Sequence, residues 1–154
     1  TQDLMRYLIG SDAEAVIAHV FNDHLKGVIE VEDTVHALFT YKNGVTALFN
    51  GTTAFSDNMP FFIDVICEKA TLRIEGNDAY VIKDGRVEQL CFKNTKSLAA
   101  KSYWGNGHNA LINDFYECIR KGSPFPIDAY EGGKAVEEFL AVYRSSQLGE
   151  KVTF

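Results

Sequence analysis

The stretch T-V-H-A-L-F-T-Y-K-N-G-V-T-A-L-F-N-G, Thr34 to Gly51, decides the fold. Two runs of β-branched, aromatic and aliphatic residues flank Asn43-Gly44, a pair that accepts the positive φ angles of a type I′ hairpin turn. Two antiparallel strands joined by a two-residue loop are therefore expected. Such a loop sets the register, so that Lys42 opposes Val45, Phe39 opposes Leu48, Leu38 opposes Phe49 and His36 opposes Gly51. One face then carries Val35, Ala37, Phe39, Tyr41 and Leu48, and the other carries Leu38, Ala47 and Phe49 among Thr34, His36, Thr40 and Thr53. A sheet wetted on one side alternates more cleanly than this. The second face is expected to meet another subunit.

Outward from this hairpin the same grammar repeats. Asp84-Gly85 is a second type I′ signal, and strands are expected over Phe61 to Cys67, Thr71 to Glu75 and Ala79 to Lys83, with Glu68-Lys69-Ala70 and Gly76-Asn77-Asp78 between them. Before the strands, Leu4 to Ile9 closed by Gly10 have the pattern of a helix end. After them, residues 93–106 turn polar and lose periodicity. A helix follows from about Gly107 to Lys121, with an apolar stripe at Leu111, Ile112, Phe115 and Ile119 and a stop at Gly122 and Pro124. A second helix opens at Asp128, whose spacing to Glu131 fits a capping box, and its stripe is Val136, Phe139, Leu140 and Tyr143 before Gly149. Gly132 and Gly133 each cost such a helix about 1 kcal/mol against alanine, so close packing is expected to compensate there. Lys151 to Phe154 add a short edge strand. The expected fold class is α+β: one domain over residues 1–154, an open, mainly antiparallel sheet with helices on one face and the other face used for oligomerisation.

With 154 residues the chain can bury a core without disulfides or metal. Its net charge of -6 and its lack of a basic run argue against nucleic acid or an anionic membrane as partner. No stretch approaches a membrane span, and a soluble cytoplasmic protein is expected. Cys67, Cys91 and Cys118 form no C-x-x-C pair and read as buried reduced thiols. His19 and His24 have no partner at metal spacing, so no metal site is expected.

Gly105, Gly107 and Ala110 spell G-x-G-x-x-A, the lettering of a dinucleotide turn. That turn needs a buried strand before it, so that helix N–H groups meet the pyrophosphate, and K-N-T-K-S-L-A-A-K-S-Y-W is no such strand. Asp128, at the distance of a ribose-binding acid, is better placed as an N-cap. These glycines are therefore a hinge from a polar loop into a helix, and no cofactor is expected to bind this chain. His108, in the first turn of that helix and on the stripe of Ile112, Phe115 and Ile119, is expected to point inward, either as a core histidine or toward a ligand. Trp104 is either a plug under the loop or a substrate platform.

D-L-M-R-Y-L-I-G at Asp3 to Gly10, V-E-D-T-V-H-A-L-F-T-Y-K-N-G at Val31 to Gly44, C-E-K-A-T-L-R-I at Cys67 to Ile74, G-H-N-A-L-I-N-D-F-Y-E-C-I from Gly107 and A-V-E-E-F-L-A-V-Y-R-S-S from Ala135 follow one another in the order and spacing of a known family. Together they resemble the C-terminal domain of the Gfo/Idh/MocA oxidoreductases, which include glucose-fructose oxidoreductase and inositol dehydrogenases. The third string departs from the family's glycine-threonine turn, with Ala70 where glycine is usual.

The resemblance implies a two-domain parent enzyme. An N-terminal Rossmann domain would hold NAD or NADP, and this domain would supply substrate contacts and a homo-oligomer interface through the sheet face. The implied chemistry is hydride transfer between nicotinamide and a carbinol carbon of a sugar, cyclitol or related polyol. The family's E-K-P lysine and Asp-His pair would lie upstream of Thr1, so no catalytic role falls on this chain, which is expected to be inactive alone. By the same resemblance Asn58, Tyr103, Trp104 and His108 line the substrate side of the cleft, with Met59 standing where several members carry tyrosine. The alternative is a stand-alone dimerising module without catalytic activity.

Overall fold

The computed structural model describes residues 2–57, 59–90 and 107–154. In chain order its elements are α1 (Gln2–Ile9), β1 (Ala13–Phe21), β2 (Thr34–Tyr41), β3 (Thr46–Thr52), β4 (Phe62–Ile66), β5 (Thr71–Glu75), β6 (Asp78–Lys83), β7 (Arg86–Leu90), α2 (His108–Lys121), α3 (Ala129–Leu148) and β8 (Val152–Thr153). The strands form two antiparallel sheets, ordered β3-β2-β1-β8 and β4-β5-β6-β7, and the fold class is α+β as the sequence indicates. The chain divides into two compact units, Thr1–Phe61 with Gly132–Phe154, and Phe62–Glu131.

The first unit holds the core. Val16 of β1 and Phe39 and Tyr41 of β2 are its largest fully buried apolar side chains, and Met5 of α1, Ala141 and Val142 of α3 and Val152 of β8 pack with them. Removing a side chain such as Val16 or Phe39 from water contributes about 1.5–3 kcal/mol.

The central hairpin differs from the expected register by one residue. Gly44 N–H donates to the Tyr41 carbonyl at 2.8 Å, and Tyr41 N–H donates to the Val45 carbonyl at 2.9 Å. The loop is thus the three residues Lys42-Asn43-Gly44, with the positive φ of +85° at Gly44 and none at Asn43. Such a loop is a type I turn followed by one left-handed residue. Asn43 does not adopt the left-handed conformation because its side chain is used twice, accepting from Val45 N–H and donating to the Ile9 carbonyl, both at 3.2 Å. Phe39 therefore opposes Ala47, Leu38 opposes Leu48, Ala37 opposes Phe49 and His36 opposes Asn50.

This shift moves Ala47 and Phe49 to the core side and Leu48 to the open side. Gly51 also lies on the core side, where a Cβ would stand 3.1 Å from Val35 Cγ1 of the strand beside it. The open face consequently alternates far better than the sequence suggests, with Thr34, His36, Thr40, Thr46, Asn50 and Thr52 around the row Ile17, Leu38 and Leu48.

In the second unit the Asp84-Gly85 turn is of the expected kind, with φ of +50° and +72° and Lys83 opposite Arg86. Arg73 of β5 forks onto Asp64 of β4 and lies 5.3 Å over the Phe62 ring. Helix α2 ends as expected at Gly122, whose φ is +64° and whose N–H turns back onto Cys118 and Ile119 carbonyls. Asp128 caps α3 by accepting Glu131 N–H at 2.9 Å.

Three packing expectations are corrected. In α3 the buried stripe is Glu138, Ala141, Val142 and Ser145, while Val136, Phe139, Leu140 and Tyr143 stay exposed. The sheet face already carries the bulk of Phe39 and Tyr41, so the helix closes on it with small side chains, and Phe139 only meets Phe49 edge-on at 6.3 Å. Likewise Leu111, Ile112, Phe115 and Ile119 of α2 are exposed, and no residue of that helix is buried. Gly132 and Gly133 have no close neighbours, since a Cβ at either would meet nothing within 4 Å. Two of the thiols also differ from expectation: Cys67 is exposed where β4 gives way to its turn, and Cys118 is half-buried, while Cys91 lies outside the described residues.

Candidate functional site

After β3 the chain leaves the sheet through Thr52, Thr53, Phe55, Ser56, Asp57 and Met59, which line an open hollow of ≈ 380 Å³. Thr52 Oγ1 accepts Ala54 N–H at 3.0 Å and Asp57 carbonyl accepts Met59 N–H at 3.0 Å, so short local bonds shape the bend. Two threonines, a serine and a carboxylate facing water offer several directional hydrogen bonds, the chemistry that recognises hydroxylated ligands. Asn58 lies outside the described residues.

His108 is the first residue of α2, in the second unit, and is exposed there; the expectation that it points inward is not met in a helix without a buried face. Gly107 N-caps that helix with φ of -78° and no side-chain cap bond. Tyr103 and Trp104, with Gly105 of the glycine pattern, lie outside the described residues. Of the four expected substrate contacts, only His108 is therefore placed.

The open face of the first sheet is a second candidate surface. Ile17, Leu38 and Leu48 stand in one cross-strand row. Next to it His19 opposes His36, Phe21 lies against both rings at 5.2 and 5.3 Å, and His36 Nδ1 is 2.7 Å from Asn50 Oδ1. Each of the three apolar residues of the row is about half exposed or more.

Two buried acids were not singled out by sequence patterns. Asp33, at the entry to β2, accepts Leu25 N–H at 2.7 Å and His24 N–H at 2.8 Å on one carboxylate oxygen and the Thr34 hydroxyl at 2.8 Å on the other. The Leu25 bond foremost, with those from Thr34 and His24, holds its carboxyl below the usual range although burial opposes this. Asn22 completes the loop by donating to the Ile29 and Val31 carbonyls. Glu138 behaves oppositely: burial pushes its carboxyl up to about 7, Arg6 offsets part of the rise, and Asp12, Asp3 and Glu137 add to it. Its signal in the sequence is a 3-1-3 spacing with Ala141, Val142 and Ser145, which an apolar count passes over.

Among the described residues no three His, Cys, Asp or Glu side chains come together as metal ligands, and no helix is long and apolar enough to cross a membrane.

Comparison with known proteins gives a consistent picture. An aldose-aldose oxidoreductase from Caulobacter crescentus, solved with glycerol, is similar to this chain with a TM-score of 0.82 and 21% identity over 99% of this chain and 44% of that one. The WlbA dehydrogenase from Bordetella pertussis, in complex with NADH and UDP-GlcNAcA, gives 0.72 and 23% over 99% and 42%. An oxidoreductase from Agrobacterium radiobacter, in complex with NAD+, L-tartaric acid and magnesium, gives 0.76 and 20% over 99% and 46%. The chain thus spans less than half the length of these structures. No curated relative matches the sequence. The model of the oxidoreductase family C-terminal alpha/beta domain matches residues 1–154 from end to end. On that match, the chain belongs to the Gfo/Idh/MocA oxidoreductase family, as its C-terminal alpha/beta domain.

Proposed function

We propose that residues 1–154 form one domain, the substrate-binding and oligomerisation part of a cytoplasmic NAD(P)-dependent oxidoreductase that moves hydride between nicotinamide and a sugar, cyclitol or related polyol. The observation that carries this reading is the family match over the full chain, joined to spans of only 42–46% of the similar structures. Glycerol and a UDP-sugar accompany two of those neighbours, which supports a hydroxyl-rich substrate. In this reading NAD or NADP is held by a partner domain that also carries the catalytic lysine and Asp-His pair, and this chain alone binds no cofactor. Asn58, Tyr103, Trp104 and His108 meet the substrate, and the hollow beside Asp57 gives the first unit a hydroxyl-lined surface of its own. The open sheet face with Ile17, Leu38 and Leu48 joins copies of the protein.

The test is an NAD(P)-linked assay of the complete reading frame against aldoses, cyclitols and nucleotide sugars, beside calorimetry of residues 1–154 with NADH. Turnover is expected only from the complete protein. Tight NADH binding by residues 1–154 would contradict the division of labour.

A further inference from the structure

Under α1 the core contains polar groups that no neighbouring side chain satisfies. Both amide atoms of Gln2, the Tyr41 hydroxyl and Glu138 Oε2 are buried and without a hydrogen-bond partner among the described residues. Gln2 is 2%, Tyr41 1% and Glu138 3% exposed, so none reaches bulk water. They come from three elements that meet at one place. Gln2 and Met5 are the buried residues of α1, Met5 and Tyr41 belong to the same cluster as Ala141 and Val142, and Glu138 stands one turn before those two on α3. Tyr41 feels the charge of Glu138, and both feel Arg6.

Buried polar groups are almost always satisfied by protein or by ordered water. We propose that Gln2, Tyr41 and Glu138 hold ordered water in a closed polar site beneath α1, and that the charge on Glu138 sets how firmly α1 is docked. The inventory of donors and acceptors suits this. Gln2 offers two N–H donors and one carbonyl acceptor, Tyr41 a hydroxyl that does both, and protonated Glu138 an O–H donor, enough to give a bridging water its two to four bonds.

The surroundings favour the proton. From α1 come Arg6 and Asp3, from the turn before β1 Asp12, from β2 Tyr41 and from α3 itself Glu137. Lys134 of α3 reaches Asp12 at 3.2 Å. Burial and three carboxylates outweigh the single guanidinium, and the carboxyl keeps its proton up to about pH 7. With the proton on, Glu138 donates into the site and the seam between α1 and α3 stays closed. When the proton leaves to solvent, a buried carboxylate remains that can only accept, and it draws in Arg6 and further water. The seam then loosens. This device stands without the oxidoreductase reading, because it concerns only how α1 sits on its own unit.

Amide exchange of the α1 backbone, corrected for intrinsic rates, tests the idea between about pH 5.5 and 8.5. Protection in the wild type is expected to fall about tenfold across that range, the scale of one pKa unit, and to stay flat in Glu138→Gln. Magnetisation transfer from long-lived water to the Gln2 side-chain amide is expected as well. Should Glu138→Gln fail to fold, a carboxyl 13C titration of the wild type replaces it, with one glutamate expected to titrate near pH 7. Protection independent of pH, no transfer from water to Gln2, or every glutamate titrating below about pH 5.5 would overturn the proposal.

Discussion

Ser145 Oγ accepts the Ala18 backbone N–H at 3.0 Å, so a helix side chain takes the place of a neighbouring strand. β8 pairs with β1 only at Ala15 and Val16, which leaves the rest of that edge open. The next residue of α3 repeats the device, Ser146 Oγ accepting Val20 N–H at 2.9 Å, and Ser145 also donates to the Glu150 carbonyl at 2.6 Å. Two hydroxyls thereby finish a strand edge that would otherwise hold unpaired N–H groups inside the unit. Ser145 is fully buried, so Ser145→Ala strands both a donor and an acceptor and is expected to cost about 1–3 kcal/mol, against about 1 kcal/mol for Ser146→Ala. Urea midpoints of the two variants decide this, and equal losses would contradict it.

Helix α3 contains an avoidable weakness. Gly132 and Gly133 lie within its helical span and a Cβ at either meets nothing within 4 Å. Neither has the positive φ that would demand glycine. Gly133→Ala is therefore expected to stabilise the protein by about 0.5–1 kcal/mol. Thermal unfolding measures the gain; a loss would mean that Gly133 meets a surface absent from this chain.

How much of this the sequence discloses depends on the kind of force involved. Turns with a local chemical cause were legible: Asp84-Gly85 adopts the expected pair of positive φ angles, Gly122 ends α2 and Asp128 caps α3. Asn43-Gly44 gives the same turn signal as Asp84-Gly85 and a different geometry, because the Asn43 side chain bonds the Ile9 carbonyl, a partner 34 positions away that no local pattern contains. One residue of slip was enough to exchange Leu48 with Ala47 and Phe49 between faces. The α3 stripe was missed for a related reason. Apolar periodicity counts bulk, whereas the helix met a face already filled by Phe39 and Tyr41 and presented Ala141 and Ser145. Of the substrate residues suggested by family likeness, Asn58, Tyr103 and Trp104 fall outside the described residues, and His108 is found exposed.

The open sheet face gives a prediction about assembly. Leu48 is 67% exposed and stands in a row with Ile17 and Leu38, so an acid there disturbs little within the monomer. If copies join through this face, Leu48→Asp places two charges in a dry interface and is expected to shift the protein to monomer in sedimentation, with the unfolding midpoint of the separated subunit unchanged. An assembly that persists in Leu48→Asp would remove this face from consideration.

The two buried acids of the first unit predict opposite limbs of the pH-stability profile. Asp33 has a depressed folded pKa, so its contribution is present above the unfolded value of 3.8 and is lost as pH falls through the folded one. Asp64, held low by the Arg73 hydrogen bonds, acts in the same direction, and Asp33→Asn should therefore shrink the acid limb without abolishing it. Glu138 has a folded pKa raised to about 7 from 4.5, so its contribution is complete below about 4.5 and disappears as pH rises through about 7. At most about 3 kcal/mol is at stake in that rise. Glu138→Gln keeps the neutral shape and cannot ionise; its stability should match the wild type near pH 4 and exceed it near pH 8.5. Urea unfolding at the two pH values tests the sign directly, since a wild type that gains stability between them, relative to Glu138→Gln, would require the carboxylate to be the favoured form in the folded core.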